Sequence, residues 1–239
     1  MATDVDGATI HAAVQQHYSA VPICYTSDEI SSWGYNPEWL RETLGLPSDL
    51  CEAASGGGCP LKLRPIVEGI TAMDLACGGG HDVVIASRMV GPKGRVIGVD
   101  MTEAMLERSR LNAKRCDASH NTEFVLAQME THMCCSCDDS DTSPSECFCL
   151  ECREHFCMDC FAGTHKGGRK GHKTTPDTAN QIPEGVADVV ISNGAFNLAH
   201  DKEAAFRTAF RALRPGGALL LSDVMKDLAA PAGTEGIKA

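Results

Sequence analysis

The spacing of eight residues between Cys134 and His172 constrains this chain more than any other feature. Cys134-x2-Cys137, Cys149-x2-Cys152 and Cys157-x2-Cys160 are followed by His165 and His172. A C-x2-C turn sets two thiolates about one tetrahedral edge apart, and two ligand pairs close a structural zinc site. Eight ligands make two Zn²⁺ sites. With all four positions of each filled by protein, no water is activated, so both are structural. Few apolar residues accompany the ligands, so the block is expected to need its metal to fold. Cys135, Cys147 and His155 are spare and leave the ligand register open by a position.

Thirteen cysteines would suit a disulfide framework in a secreted chain. The start, Met1 to Asp6, has neither a basic region nor an apolar run, so no signal peptide is expected. Metal-bound thiolates in a reducing compartment account for the cysteines instead, which implies the cytoplasm, with the nucleus equally reducing. No stretch approaches the roughly 18 apolar residues of a membrane helix, so no membrane partner is expected. A formal charge of −11 argues against a general grip on nucleic acid. The basic run from His165 to Lys173 reads as a solvated loop carrying two metal ligands.

The 239 residues have room for one sizeable α/β core and a small module. A helical spacing over 7–20 brings Ile10, Val14 and Tyr18 to one face, and a short helix is expected over Pro37–Leu44. Strands and helices then alternate: Ile70–Leu75, His81–Val90, Arg95–Val99, a helix from the N-cap Thr102 to Ala113, and Thr122–Leu126. After the metal block come Ala187–Ile191, a helix over Lys202–Leu213, and Ala218–Ser222 beyond the turn Arg214-Pro215-Gly216-Gly217. Met105, Leu106 and Leu111 are the expected inner face of one helix. Ala205, Phe206, Ala209, Phe210 and Leu213 are that of the other. Such alternation predicts an α/β, doubly wound, mostly parallel Rossmann-like sheet with right-handed crossovers.

The first strand runs into Gly78-Gly79-Gly80, and Asp100 ends the second strand. Glycines let a backbone approach a ligand, a helix N-terminus favours an anionic group, and an acid at the second strand tip suits ribose hydroxyls. Both NAD and S-adenosylmethionine fit this scheme. The dinucleotide fingerprint would need glycine or alanine at position 83, where Val83 stands.

Asp74 to Gly80 is similar to motif I of class I S-adenosylmethionine-dependent methyltransferases. Gly91–Thr102, Ser192–Leu198 with Asp201-Lys202, Leu213–Gly217 with Ser222-Asp223, and Val14–Tyr18 resemble the arsenite methyltransferase family. The resemblance implies S-adenosylmethionine as cofactor and a small soft acceptor, trivalent arsenic among them. It also implies residue roles. Ala76, Gly78 and Gly80 would line the methionine part, and Asp74 would meet its amino group. Asp100 and Met101 would hold ribose and adenine, Met129 and Glu130 would approach the adenine edge, and Tyr18 would approach from the opening helix. Asn193 would face the reacting side, where Cys59 would supply a thiol. The chain departs from the family at three points: the glycine order around Cys59 differs, Gly194 replaces a cysteine, and the chain ends at Ala239 before the last thiol and the final strand hairpin. Cys24 and Cys51 are further thiols of the N-terminal segment, Cys77 reads as packing, and Cys116 as a surface thiol.

The metal block resembles a B-box zinc finger, a cross-braced interaction module. That resemblance pairs Cys134, Cys137, Cys157 and Cys160 at one zinc, and Cys149, Cys152, His165 and His172 at the other. It implies a protein partner. The expected organisation is thus an N-terminal helical cap over 1–69, a discontinuous core of 70–133 and 186–225, the zinc insertion at 134–175, and a tail at 226–239. Two functions follow: a methyltransferase with a zinc-bearing insert, or a methyltransferase-fold adaptor working through that insert.

Overall fold

The computed structural model describes residues 7–20, 27–32, 34–51, 57–130, 134, 136–137, 146–152, 154–176 and 181–224. Five parallel strands form the main sheet in the order β3-β2-β1-β7-β8. They are β1 (Thr71–Leu75), β2 (Arg95–Asp100), β3 (Thr122–Leu126), β7 (Ala187–Asn193) and β8 (Leu213–Ser222). Asp74 of β1 stands opposite Gly98 of β2 and Ile191 of β7. The order reverses at β1, so the chain winds outward in one direction and then the other, as expected for a doubly wound sheet.

Strand side chains alternate between two apolar layers, as a period of two requires. Ala72, Val96, Val189, Ile191 and Leu220 belong to one core. Met73, Leu75, Ile97, Val99 and Val190 belong to the other. The first layer is covered by helix α4 (His81–Val90), through Val83, Val84 and Val90, and by α5 (Glu103–Arg115), through Leu106 and Ala113. The second is covered by α7 (Lys202–Ala212), through Ala205, Ala209 and Ala212. Before the sheet lie α1 (Gly7–Ala20), α2 (Ser27–Ser32), a π-turn at Trp39–Thr43, and α3 (Ser48–Cys51). Between β3 and β7 stands a small antiparallel sheet, β5-β4-β6, with β4 (Cys147–Cys149), β5 (Glu154–Phe156) and β6 (Thr174–Pro176), and helix α6 (Met158–Thr164).

Several sequence expectations need correction. Phe206 and Phe210 are exposed, Phe210 by 78%. Alanines at 205, 209 and 212 bring α7 closer to the sheet than two phenylalanines would allow, so the rings point away. Phe206 packs instead on Phe196, 4.7 Å between centroids. Leu111 is exposed as well; polar Ser109 and Asn112 take the inner face of α5. Cys116 is buried rather than on the surface. Thr102 is the N-cap residue by position, but its side chain makes no cap bond. The Arg214–Gly217 turn lies within β8 as an irregularity, between the pairs Ala187–Leu213 and Val189–Ala218. Residues 225–239, Cys24 and Cys135 lie outside the described residues.

Candidate functional site

Three backbone positions at the end of β1 have positive φ: Ala76 at 62°, Gly78 at 52° and Gly80 at 81°. Such a turn folds the chain back so that α4 starts directly over the strand end. Alanine at φ 62° is strained, and strain of this kind concentrates at ligand sites. Helix α5 holds the turn from outside. Ser109 Oγ donates to Gly78 O at 2.7 Å, and Asn112 Nδ2 donates to Gly79 O at 2.9 Å. A Cβ on Gly80 would come within 3.0 Å of Ser109, whereas one on Gly78 would meet nothing within 4 Å. Asp100 grips the same turn: Gly78 N donates to one carboxylate oxygen at 2.9 Å, and Thr102 N to the other at 2.8 Å.

A pocket opens beside this turn. Ala76, Gly78, Asp100 and Met101 line it from β1 and β2, Met129 and Glu130 from the segment after β3. Asn193 and Gly194 line it from the end of β7, and His11 and Val14 from α1. Seven of the residues expected at the site are therefore brought together: Ala76, Gly78, Asp100, Met101, Met129, Glu130 and Asn193. Asp74 and Gly80 do not line the pocket; Asp74 is buried in β1, and Gly80 packs on α5. Tyr18 belongs to α1, but its side chain lies outside the described residues.

Burial pushes the Asp74 carboxyl well above the usual range, and the charges of Asp82 and Asp100 push it further. Burial raises Asp100 too, against the amides of Thr102 and Gly78. Concentrated buried acid of this kind favours a cationic ligand group, because a cation stabilises the ionised carboxylates. Glu130 shows the opposite balance. Burial opposes its charge, but the His11 ring and the Asp201 and His200 amides outweigh it and hold the carboxyl below its usual value. His11 Nε2 lies 2.5 Å from Glu130 Oε2, while Oε1 accepts from His200 N at 2.7 Å and Asp201 N at 3.1 Å. Its carboxylate thus faces protein groups on both sides.

Asn193 links the pocket to the N-terminal segment. Its Nδ2 donates to Gly58 O at 2.8 Å, to Tyr35 OH at 2.9 Å and to Asp82 at 3.2 Å, and its Oδ1 accepts from Gly57 N at 3.1 Å. Tyr35 is fully buried and donates to Asp82 at 2.5 Å. Nothing in the local sequence announces this cluster; only the glycines at 57–58 mark a close backbone approach. Asn193→Ala would remove these links, leaving Tyr35 and Asp82 only their bond to each other, and is expected to cost about 1–3 kcal/mol. Thermal unfolding reads this loss; an unchanged midpoint would remove the cluster's structural role. Cys59 is buried outside the pocket lining, and burial, then the Asp82 charge, push its thiol up to about 12. No cysteine lines the pocket among the described residues.

In the insert, Cys134, Cys137, Cys157 and Cys160 form one group and Cys149, Cys152, His165 and His172 the other. Tetrahedral zinc with sulfur at about 2.3 Å requires S···S edges near ~3.8 Å, and slightly less for S···N. Cys137 Sγ lies 3.8 Å from Cys157 Sγ and 3.7 Å from Cys160 Sγ. Cys152 Sγ lies 3.4 Å from both His165 Nε2 and His172 Nδ1, and Cys149 Sγ 3.6 Å from His172 Nδ1. The donor sets fit two zinc ions. His165 Nδ1 sits 3.1 Å from Phe161 O, which orients the ring with Nε2 toward the cluster. Cys147 instead turns its Sγ to Phe156 O.

Comparison with known proteins agrees with the sheet and the glycine turn. Two family models, each described as a methyltransferase domain, match residues 66–153 and 144–221. The boundary between them falls inside the insert. The arsenite methyltransferase of Halobacterium salinarum is 30% identical over 207 residues, 84% of this chain and 39% of that protein. The arsenite methyltransferase of Mus musculus is 27% identical over 237 residues, 97% of this chain and 52% of that protein. The chain thus spans between two fifths and half of these curated relatives. The crystal structure of an arsenic (III) S-adenosylmethionine methyltransferase from Chlamydomonas reinhardtii is similar with a TM-score of 0.51. It is 27% identical and covers 79% of this chain and 50% of its own. The fold is the Rossmann-like fold of methyltransferases. No helix among the described residues is long and apolar enough to cross a membrane.

Proposed function

We propose that the chain binds S-adenosylmethionine in the pocket at the ends of β1, β2 and β7, and transfers its methyl group to a small soft acceptor such as trivalent arsenic. The observation that carries this reading is the turn at Ala76–Gly80: left-handed backbone at three positions, clamped by Asp100, beside buried acid. The relatives' printed activities point the same way. The bound cofactor supplies an electrophilic methyl group on a sulfonium centre. The chain's part is to bind and orient. Asp100 holds the ribose side while fixing the glycine turn, Met101 and Met129 offer apolar contact to a flat ring, and the Asp74–Asp82–Asp100 acids favour an ammonium group. Asn193 fixes the N-terminal segment over the reacting side. A soft nucleophile with a lone pair needs positioning more than a strong base, since orientation alone supplies much of such a rate.

Residues 134–176 are proposed to hold two structural zinc ions and to bind a protein partner. Exposed Leu150 and Met158 on this module support such a contact. The absence of cysteine from the described pocket lining favours a second reading, in which the methyltransferase fold is a scaffold and the insert carries the function.

Calorimetric titration of S-adenosylmethionine into the zinc-loaded protein separates the two. The first reading expects micromolar binding, and a loss of about 1.5–3 kcal/mol in Asp100→Ala, the size of a hydrogen bond to a charged group. A folded wild-type protein that binds nothing returns the scaffold reading.

A further inference from the structure

Helix α1 brings His11 and Val14 to the pocket wall. None of its described side chains is fully buried; Ile10 and Val14 are only half-buried. Polar contacts supplement them, and two of these end on segments that line the pocket. Gln15 Nε2 donates to Met101 O at 3.0 Å, and His11 Nε2 meets Glu130 at 2.5 Å. The His11–Glu130 contact is the better shielded, with side-chain exposures of 15% and 4%. An ion pair or charged hydrogen bond removed from water is stronger than one on the surface. The other oxygen of Glu130 takes the amides of His200 and Asp201, at the start of α7. One carboxylate therefore fastens two walls that belong to opposite ends of the chain.

We infer that His11 is a positioning residue that closes the pocket by gripping Glu130, so that α1 and the His200–Asp201 turn are held together across the ligand. This rests on the pocket being the S-adenosylmethionine site. His11 acts through Glu130: it holds the lid helix in place and slows ligand escape. Because no described side chain of α1 is fully buried and none belongs to the sheet cores, loss of this contact loosens the helix without disturbing the sheet.

The test measures binding of S-adenosylhomocysteine by calorimetry and amide hydrogen exchange along α1, in wild type, His11→Ala and His11→Gln. His11→Ala is expected to bind about tenfold more weakly. Its α1 amides should exchange faster, while those of β1 and β2 keep their protection. His11→Gln places an amide donor at the same reach and should restore most of both. Equal weakening in both variants, with α1 still protected, would mean that the ring touches the ligand directly, and overturns the positioning role. Unchanged affinity and unchanged α1 exchange in His11→Ala overturn the inference altogether. If wild type binds no S-adenosyl ligand, the proposed function falls, and α1 exchange alone decides the contact: faster exchange in His11→Ala sustains it, and unchanged exchange removes it.

Discussion

Chelation of the zinc-loaded protein is expected to unfold residues 134–176 and leave the five-stranded sheet standing. Among the described residues the insert has almost no apolar core: Phe156 is fully buried and Phe161 partly so, and cysteines and His165 fill the rest. A structural zinc ion supplies roughly 10–16 kcal/mol of apparent binding energy to such a module, far more than two phenylalanines do. Metal analysis should return two zinc ions per chain. Cys152→Ser removes a ligand from the Cys149–His172 group alone and should release one ion while the Cys134–Cys160 group keeps the other. Retention of both ions would show that the ligand groups are drawn wrongly. Far-ultraviolet circular dichroism should change little on chelation, because the helices α4, α5 and α7 belong to the sheet domain.

Gly78 and Gly80, two residues apart in the same turn, give the second large effect. Gly80→Ala puts a methyl group 2.7 Å from Ser109 Oγ and 3.0 Å from its Cα, at a φ of +81°. The left-handed conformation costs an alanine about 1–2 kcal/mol, and overpacking adds a further ~1–3 kcal/mol. At about 2–4 °C per kcal/mol for a chain of this size, the midpoint should fall by roughly 4–20 °C. Gly78→Ala also carries the conformational cost, but its methyl meets nothing within 4 Å. It should therefore lose only about 1–2 kcal/mol of stability, and its larger effect should be on ligand affinity, since Gly78 lines the pocket. Equal destabilisation by the two alanines would contradict this division.

The elements of the sheet are legible in the sequence because each is written locally. Gly91-Pro92 ends α4 where expected, the glycine run marks the turn, and the near-continuous apolar stretch of β7 announces a strand buried on both faces. The C-x2-C spacings mark the insert as a candidate metal block but leave the grouping open; the fold gathers the side chains into the two groups that the B-box resemblance implied. What local pattern does not reveal is which face of a helix the fold selects. Helix α7 offers both alanine and phenylalanine stripes, one residue apart, and close approach to the sheet favours the alanines. Nor does it reveal contacts between distant segments. Glu130 meets His200 across 70 residues and Asn193 meets Tyr35 across 158. Each of these residues reads as an isolated polar side chain until the fold places its partner beside it. The same holds for Ser109 and Asn112, which reach the glycine turn from the inner face of α5.

The position of the insert bears on the order in which the molecule forms. Strand β1 is completed between β2 and β7, and Ser192 Oγ of β7 bonds to Leu75 O across 117 residues of chain. Parallel pairing at such separation is slow, because loop entropy is lost before any contact forms. The pairs Cys147–Pro176 and Cys149–Thr174 close the insert on itself. With its ions bound it is a local unit that shortens the slack between β3 and β7. Until β7 arrives, the pocket lacks the wall that carries Asn193. With the proposed zinc ions, metal supply would act on when the distant pocket is built, as well as on whether the insert is folded.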